Sequence, residues 1–213
     1  MKNTYCEKLM WLATKSTIEK FMKAEFGDSD MRAFKKRFRN QYRQILSEVD
    51  DIGPFTKNPL RINLTGGVIW LAAYESCDGK MDEELFSKMI TAIMCSRLYK
   101  AFYGSSNPFV MKKQCRKAEN LKAANALTDS DYNWHSDYRV GRDENEYFNT
   151  YTRCGLCTLG KRRGHPELVP LMCQTDFISI DMMGGVLYRT QTLAMGGTCC
   201  DFHVVKKGSK WEV

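Results

Sequence analysis

A chain of 213 residues with 43% hydrophobic and 27% charged residues is long enough for one packed core and too apolar for general disorder. Its net charge of +7 does not point to nucleic acid: residues 1–49 hold 11 Lys and Arg against 6 Asp and Glu, so +5 of the +7 lies on helix-patterned sequence without RNA-binding or zinc-finger spacing. Charges interrupt the N-terminal stretch every few residues, which excludes a signal peptide or a spanning helix there and points to the cytosol, with no membrane partner.

From Tyr5 to Phe26, and again from Met31 to Val49, apolar residues recur at helical spacing. In the second stretch Met31, Phe34, Phe38, Tyr42, Ile45 and Val49 form one stripe, while Arg32, Lys35, Lys36, Arg39 and Arg43 take the other face. Gly27-Asp28-Ser29-Asp30 separates the two helices with a stop and an N-cap. Asp50 to Pro59 turns the chain. A third helix is expected over Leu60 to Cys77, weakened by Gly66-Gly67. A fourth is expected over Asp82 to Tyr103, with Leu85, Met89, Ile93 and Leu98 on one stripe and an acidic start that suits its dipole. Phe109 to Leu127 reads as a fifth.

Beyond Asp131 the pattern shifts to aromatic and β-branched residues of short period. Tyr132 to Val140, Glu146 to Thr152, Val186 to Leu193 and Cys200 to Val205 are the expected strands. Met195-Gly196-Gly197-Thr198 is the expected hairpin or bulged turn between the last two. Cys157 to Lys161 and Glu167 to Cys173 are expected short helices, with Pro166 at the first position of the second. The layout is α+β: about five helices over residues 1–130, then a small antiparallel sheet over 131–205, in one domain of 213 residues.

Nine cysteines is an odd count, which argues for free thiols rather than a disulfide framework. The four before residue 120 fit small buried hydrophobes. The other five fall in three chemically dense segments: Thr152-Arg153-Cys154, Cys173-Gln174-Thr175-Asp176, and the run from Arg189-Thr190-Gln191-Thr192 through Gly196-Gly197 to Cys200-Asp201-Phe202-His203. Strand alternation puts Cys199, Asp201 and His203 on one face and Cys200, Phe202 and Val204 on the other, so Cys200 faces the core unless a bulge resets the register. Cys154 and Cys157, with Cys173, Cys199 or Cys200, and His203, offer a competing zinc reading, though not at the spacing of a standard ribbon or finger.

These three segments, in this order, resemble the C-terminal signature of the L-2-amino-thiazoline-4-carboxylic acid hydrolase family. The run Arg189-Thr190-Gln191-Thr192, an apolar pair, Gly196-Gly197 and Cys200-Asp201-Phe202 is its most specific part, and the resemblance extends from about Phe148 to His203. The chain departs from the family pattern at His203, where relatives carry Arg or a similar residue, and at Gly155-Leu156-Cys157, where they carry an aromatic-alanine pair.

The resemblance implies hydrolysis of a small cyclic amidine to an N-carbamoyl-cysteine-type product, with a small molecule as substrate and no cofactor or bound metal called for. Cys173 and Cys200 are the expected catalytic thiols, against a structural role for each. Asp176 and Asp201 are the expected acid or base; helix capping competes for Asp176, and service as a buried acceptor for hairpin backbone donors competes for Asp201. Arg189 suits a substrate carboxylate, which its planar fork can bind bidentately. Thr192, Gly196, Gly197, Cys154 and His203 complete the expected substrate-contacting set.

The alternative is a non-catalytic small-ligand-binding or sensing domain of 4-vinyl reductase-like type. A closed pocket lined by Cys173, Asp176, Arg189 and Cys200 would favour the enzyme. For the basic N-terminal helices, packing on the sheet, covering the site and forming a homo-oligomer are all open.

Overall fold

The computed structural model describes residues 1–212. Eight helices precede and interleave with four strands: α1 Tyr5–Phe26, α2 Met31–Glu48, α3 Arg61–Glu75, α4 Glu83–Met94, α5 Arg97–Gly104, α6 Met111–Asn125, β1 His135–Val140, β2 Glu146–Arg153, α7 Gly155–Arg163, α8 Val169–Met182, β3 Gly185–Tyr188 and β4 Cys200–Lys206. The strands form one antiparallel sheet in the order β1-β2-β4-β3, so the architecture is α+β. No helix among the described residues is long and apolar enough to cross a membrane.

The stripe of α2 is buried from Phe34 through Ile45, and its charged residues face solvent. Helix α3 is buried nearly all round from Leu64 to Ala73. It therefore runs through the centre of the helical layer. The paired glycines that weaken it on propensity are there for contact: a Cβ at Gly67 would come within 2.3 Å of Leu156 Cδ2 on α7. Glycine lets α7 lie against α3.

Helix α1 is tied to α3 through ions. Arg61 Nε donates to Glu7 Oε1 (2.7 Å), its Nη1 to Asp51 Oδ1 (2.6 Å) and the Gly53 carbonyl (2.6 Å), and its Nη2 to the Lys2 carbonyl (2.9 Å). The Arg61 side chain is 1% exposed and that of Glu7 0%. Every donor that Arg61 commits is satisfied, which is the condition for tolerating a buried charge.

Several boundaries differ from the sequence pattern. The expected fourth helix is two: the chain turns at Cys95-Ser96, where Ser96 takes extended backbone as the N-cap of α5. Leu98 consequently leaves the stripe of Leu85, Met89 and Ile93 and is 55% exposed, while Tyr99 is buried in its place. The expected short helix at 167–173 is a single 3-10 turn, Pro166–Leu168, running into the 14-residue α8. Its apolar residues are spread round the axis, because α8 packs against both α4 and β3, so no single stripe announces it.

Strand β1 starts at His135, three residues later than expected. Strand β3 stops at Tyr188, and residues 189–199 form a long connection containing the 3-10 turn Leu193–Met195, whose N-cap Thr192 accepts from the Met195 N–H (3.2 Å). Met195 to Thr198 is the tail of that loop, not a tight hairpin turn.

All nine cysteines are free. Of the four expected to be small core residues, Cys77 is buried and Cys6 half-buried, but Cys95 and Cys115 are exposed. Helical spacing alone did not distinguish the inner from the outer face of α6.

Candidate functional site

Helix α6 packs on β1 and helix α8 on β3, the two edge strands of the sheet. The central strands β2 and β4 lie between the two helices as the floor of the site, and that floor is largely buried: Tyr147 is 4%, Asn149 3% and Cys200 6% exposed. Register decides which side chains line that floor: Tyr147 is opposite Val204, Asn149 opposite Phe202 and Tyr151 opposite Cys200. Phe202 meets Tyr151 edge-on at 5.4 Å.

Helix α8 supplies Cys173, Asp176 and Phe177 to one wall. The connection after β3 delivers Arg189 to the same place. Arg189 Nη1 donates to Asp176 Oδ2 (2.8 Å) and Nη2 to the Cys173 carbonyl (3.2 Å), and its guanidinium lies 4.8 Å from the Phe177 ring and 5.2 Å from that of Phe202. The Arg189 side chain is 5% exposed, that of Asp176 37%.

Burial in the surrounding protein pushes the Asp176 carboxyl up to about 6, against the lowering by Arg189. A group that solvent touches and that is nonetheless desolvated by dense surroundings lines a concave surface. Its charge also acts on the hydroxyls of Tyr147 and Tyr151 and on the thiols of Cys154, Cys173 and Cys200. The cleft thus gathers these residues round one carboxyl.

The thiols differ sharply. Burial raises Cys173 well above the ordinary thiol range and raises Cys200 to about 11, even though Cys200 Sγ accepts from the Leu193 N–H (3.3 Å). Both are held neutral.

Cys154 alone is lowered. The Cys157 thiol is the main cause, donating to it and rising steeply itself, and the Cys157 and Leu156 N–H groups add to the effect against desolvation. Cys154 is the N-cap residue of α7 and closes no cap hydrogen bond, so those N–H groups act as the aligned dipoles of a helix start.

Local packing sets that position. A Cβ on Gly155 would lie 2.1 Å from the Tyr132 carbonyl oxygen and 2.8 Å from the Trp134 ring. The far end of α7 is fastened by Arg163 to Glu75 (2.9 and 2.6 Å) and to Glu48 (2.6 Å). Gly155→Ala is expected to destabilise the fold by about 1–3 kcal/mol and to displace Cys154. Urea unfolding together with the alkylation rate of Cys154 checks this; unchanged values for both would exclude the close approach.

The remaining motif residues stand elsewhere. Asp201 and His203 lie on the other face of β4, as alternation requires. Asp201 accepts from the Thr190 N–H (3.0 Å), the Thr190 hydroxyl (2.5 Å) and the Gln191 N–H (2.8 Å), holding the loop after β3. Hydrogen bonds from these groups keep its carboxyl low despite desolvation. His203 Nε2 is 3.1 Å from Glu146 Oε2, and the ring stacks on Phe148 at 4.4 Å. Neither joins Asp176 and Cys154.

Thr192 caps the 3-10 turn, Gly196 closes it at φ +83°, and Gly197 abuts the Gln191 side chain. These three shape the loop that carries Arg189. Among the described residues no three His, Cys, Asp or Glu side chains stand together as metal ligands. An open groove of about 470 Å³ between α6 and β1, lined by Lys122, His135, Asp137, Tyr138 and Thr150 among others, holds of the motif residues only Thr152.

Residues 63–204, more than half the chain, match the L-2-amino-thiazoline-4-carboxylic acid hydrolase family. The chain belongs to this family. The match runs from α3 to β4 and so takes in the central helix and the whole cleft as well as the three motifs. Neither a curated protein nor a solved structure matches the chain.

For this hydrolase family member, the motifs divide by role. Thr152-Arg153-Cys154 ends β2 at the start of α7, Cys173 to Asp176 forms a cleft wall, and the last motif builds the loop and strand that hold Arg189 over Phe202. The sequence signal for Cys157 was present as a C-x2-C pair. What was missing was the knowledge that α7 begins at Gly155, which puts both sulfurs on its first turn. Tyr147, Tyr151 and Phe177 carried no signal, because an aromatic in a strand or helix is ordinarily core.

Proposed function

We propose that this chain hydrolyses a small cyclic amidine such as L-2-amino-thiazoline-4-carboxylate, opening the ring to an N-carbamoyl-cysteine-type product. One observation carries the reading: in a chain of this family, a thiol eased toward its thiolate, Cys154, and a carboxyl raised to about 6, Asp176, stand within electrostatic reach of each other. Family membership gives no support to a non-catalytic sensing domain.

The ring carbon of a 2-amino-thiazoline lies between sulfur and nitrogen and is electrophilic. Its amidine is basic, so the substrate arrives protonated and is drawn to the Asp176 carboxylate. The Cys154 thiolate adds to the ring carbon, and the adduct collapses by breaking the ring carbon–sulfur bond, expelling the substrate's own thiolate. An isothiourea then joins Cys154 to the former ring carbon.

Water attacks that carbon while Asp176 takes one of its protons. The bond to Cys154 breaks, the product's urea forms, and its second proton passes to the substrate thiolate. Asp176 finally releases to solvent the proton it took from water, which balances the extra proton that the amidinium brought and that stays on the urea nitrogen. One water is consumed. A lowered pKa at Cys154 makes it the better leaving group at the second step.

Incubation with the L-thiazoline carboxylate, followed with a thiol reagent, is the direct test. Thiol release by the wild type, retained in Cys173→Ser and Cys200→Ser and lost in Cys154→Ser, is the expected result. No release by the wild type would remove the substrate claim, and full activity of Cys154→Ser would remove covalent catalysis.

The pH profile supplies an independent check. With Asp176 at about 6, kcat is expected to rise as pH increases through that value, because only the carboxylate accepts the proton of water. In Asp176→Asn that limb is expected to vanish along with most of the activity. A limb near 6 that survives the substitution would assign it to another group.

A further inference from the structure

Arg189, whose fork suits a carboxylate, is already committed: to Asp176 through Nη1, to the Cys173 carbonyl through Nη2, and to the Phe177 and Phe202 rings through its face. These contacts use two of its five N–H donors and its face, and its side chain is 5% exposed. Arg189 is better placed as a positioning residue that aims Asp176 into the cleft.

The opposite wall carries a cation held by aromatic rings alone. Lys117 of α6 places Nζ 5.1 Å from the centre of the Tyr138 ring and 5.2 Å from that of Tyr147, and among the described residues no carboxylate pairs with it. Solvent reaches its side chain, yet burial among its neighbours lowers the amine to about 8. Tyr147 connects Lys117 with Asp176, the cation lying over its ring and the charge of Asp176 acting on its hydroxyl.

A second observation lies on the same wall. The Tyr138 hydroxyl is buried and has no hydrogen-bond partner, in a residue only 7% exposed. Such a group carries a desolvation cost that a ligand oxygen would relieve. Asn149, opposite Tyr138 in the sheet, accepts instead from Ser136 Oγ (2.6 Å).

We propose that Lys117, with the Tyr138 hydroxyl beside it, is the carboxylate receptor of this site. The ligands it selects are small amino-acid-derived carboxylates, with the basic end toward Asp176 and the acid end at Lys117. The proposal rests on the hydrolase reading for the identity of the substrate, but not for the existence of the receptor.

Two measurements test it. In the first, Lys117→Met is expected to raise KM for the thiazoline carboxylate by about tenfold to a hundredfold, the worth of a charged hydrogen bond, with kcat within about twofold. Lys117→Arg is expected to restore most of the loss, and 2-amino-thiazoline without its carboxylate is expected to be turned over equally by wild type and Lys117→Met. An unchanged KM in Lys117→Met overturns the proposal and leaves the hydrolase reading intact.

In the second, the lysines are 13C-dimethylated and the Lys117 resonance, identified by its loss in Lys117→Met, is titrated with thiazolidine-4-carboxylate, which lacks the amidine. A saturable shift supports the receptor even if no thiazoline is hydrolysed. No shift overturns it.

Discussion

Cys154→Ser is expected to lower kcat for thiol release by at least about 10⁴-fold, the scale seen when a covalent nucleophile is removed. The expectation singles out one of five clustered cysteines. Cys173 and Cys200 sit in the same cleft, but burial raises both thiols, leaving them protonated at neutral pH. Cys154 has the start of α7 and the Cys157 thiol to hold a negative charge.

The same account predicts the behaviour of Cys157. Cys157→Ala removes the hydrogen-bond donor, so the Cys154 thiolate is expected to form at higher pH and the rate at pH 7 to fall by about tenfold. Cys157→Ser keeps a donor and is expected to recover most of that loss. Alkylation with iodoacetamide, read by mass spectrometry across pH, measures the ionisation of Cys154 without any substrate. Faster modification of Cys173 or Cys200 than of Cys154 at neutral pH would remove the assignment.

The largest expected effect on stability is far from the cleft. Arg61→Met leaves Glu7, 0% exposed, as a buried carboxylate without its cation; a loss of about 3–5 kcal/mol follows. In the native protein, desolvation works to raise Glu7, but hydrogen bonds from Arg61 and Thr4 outweigh it and the carboxyl is lowered. Asp51 is lowered against desolvation in the same way, by Arg61 and the Gly53 and Lys2 N–H groups.

Groups whose pKa falls on folding contribute stability that is present above their unfolded values of about 4 and is lost as pH falls through the folded values. The wild type is therefore expected to lose stability below about pH 4. In Arg61→Met the Thr4 bonds remain, but the largest lowering contribution is gone and desolvation, the largest contribution of all, is expected to prevail: the folded pKa of Glu7 then exceeds the unfolded one, and stability is lost as pH rises through the folded value. The variant is then relatively more stable in mild acid than at pH 7. Adding Glu7→Gln is expected to return a large part of the loss at neutral pH. Urea midpoints from pH 4 to 8 decide the matter, and an Arg61→Met curve parallel to the wild type would show that Glu7 does not depend on Arg61.

The α+β layout, the helix from Tyr5 to Phe26, the buried stripe of α2 and the approximate strands were legible in the sequence. In each case the signal is local: a period of 3.6 or 2 in apolar residues, or a stop such as Gly27. The break at Cys95-Ser96 and the full length of α8 were not legible. Ser96 is an N-cap only because the chain folds back there, and the apolar residues of α8 are spread round its axis because it is covered from two sides.

The three motifs, read in order, were enough to identify the family and the neighbourhood of the chemistry, and strand alternation was enough to turn Asp201 and His203 away from Cys200. Tertiary structure decided which residues of that neighbourhood meet. Asp176 became a cleft carboxyl because α8 extends past it, Arg189 became its partner because β3 ends early, and Cys154 became the eased thiol because α7 starts at the next residue. Lys117, 37 positions before Cys154, had no motif to mark it. The physical reason is common to all four: the ionisation of a thiol, a carboxyl or an amine depends on the charges, dipoles and burial around it in space, and spacing along the chain records these only where neighbours in sequence are also neighbours in the fold.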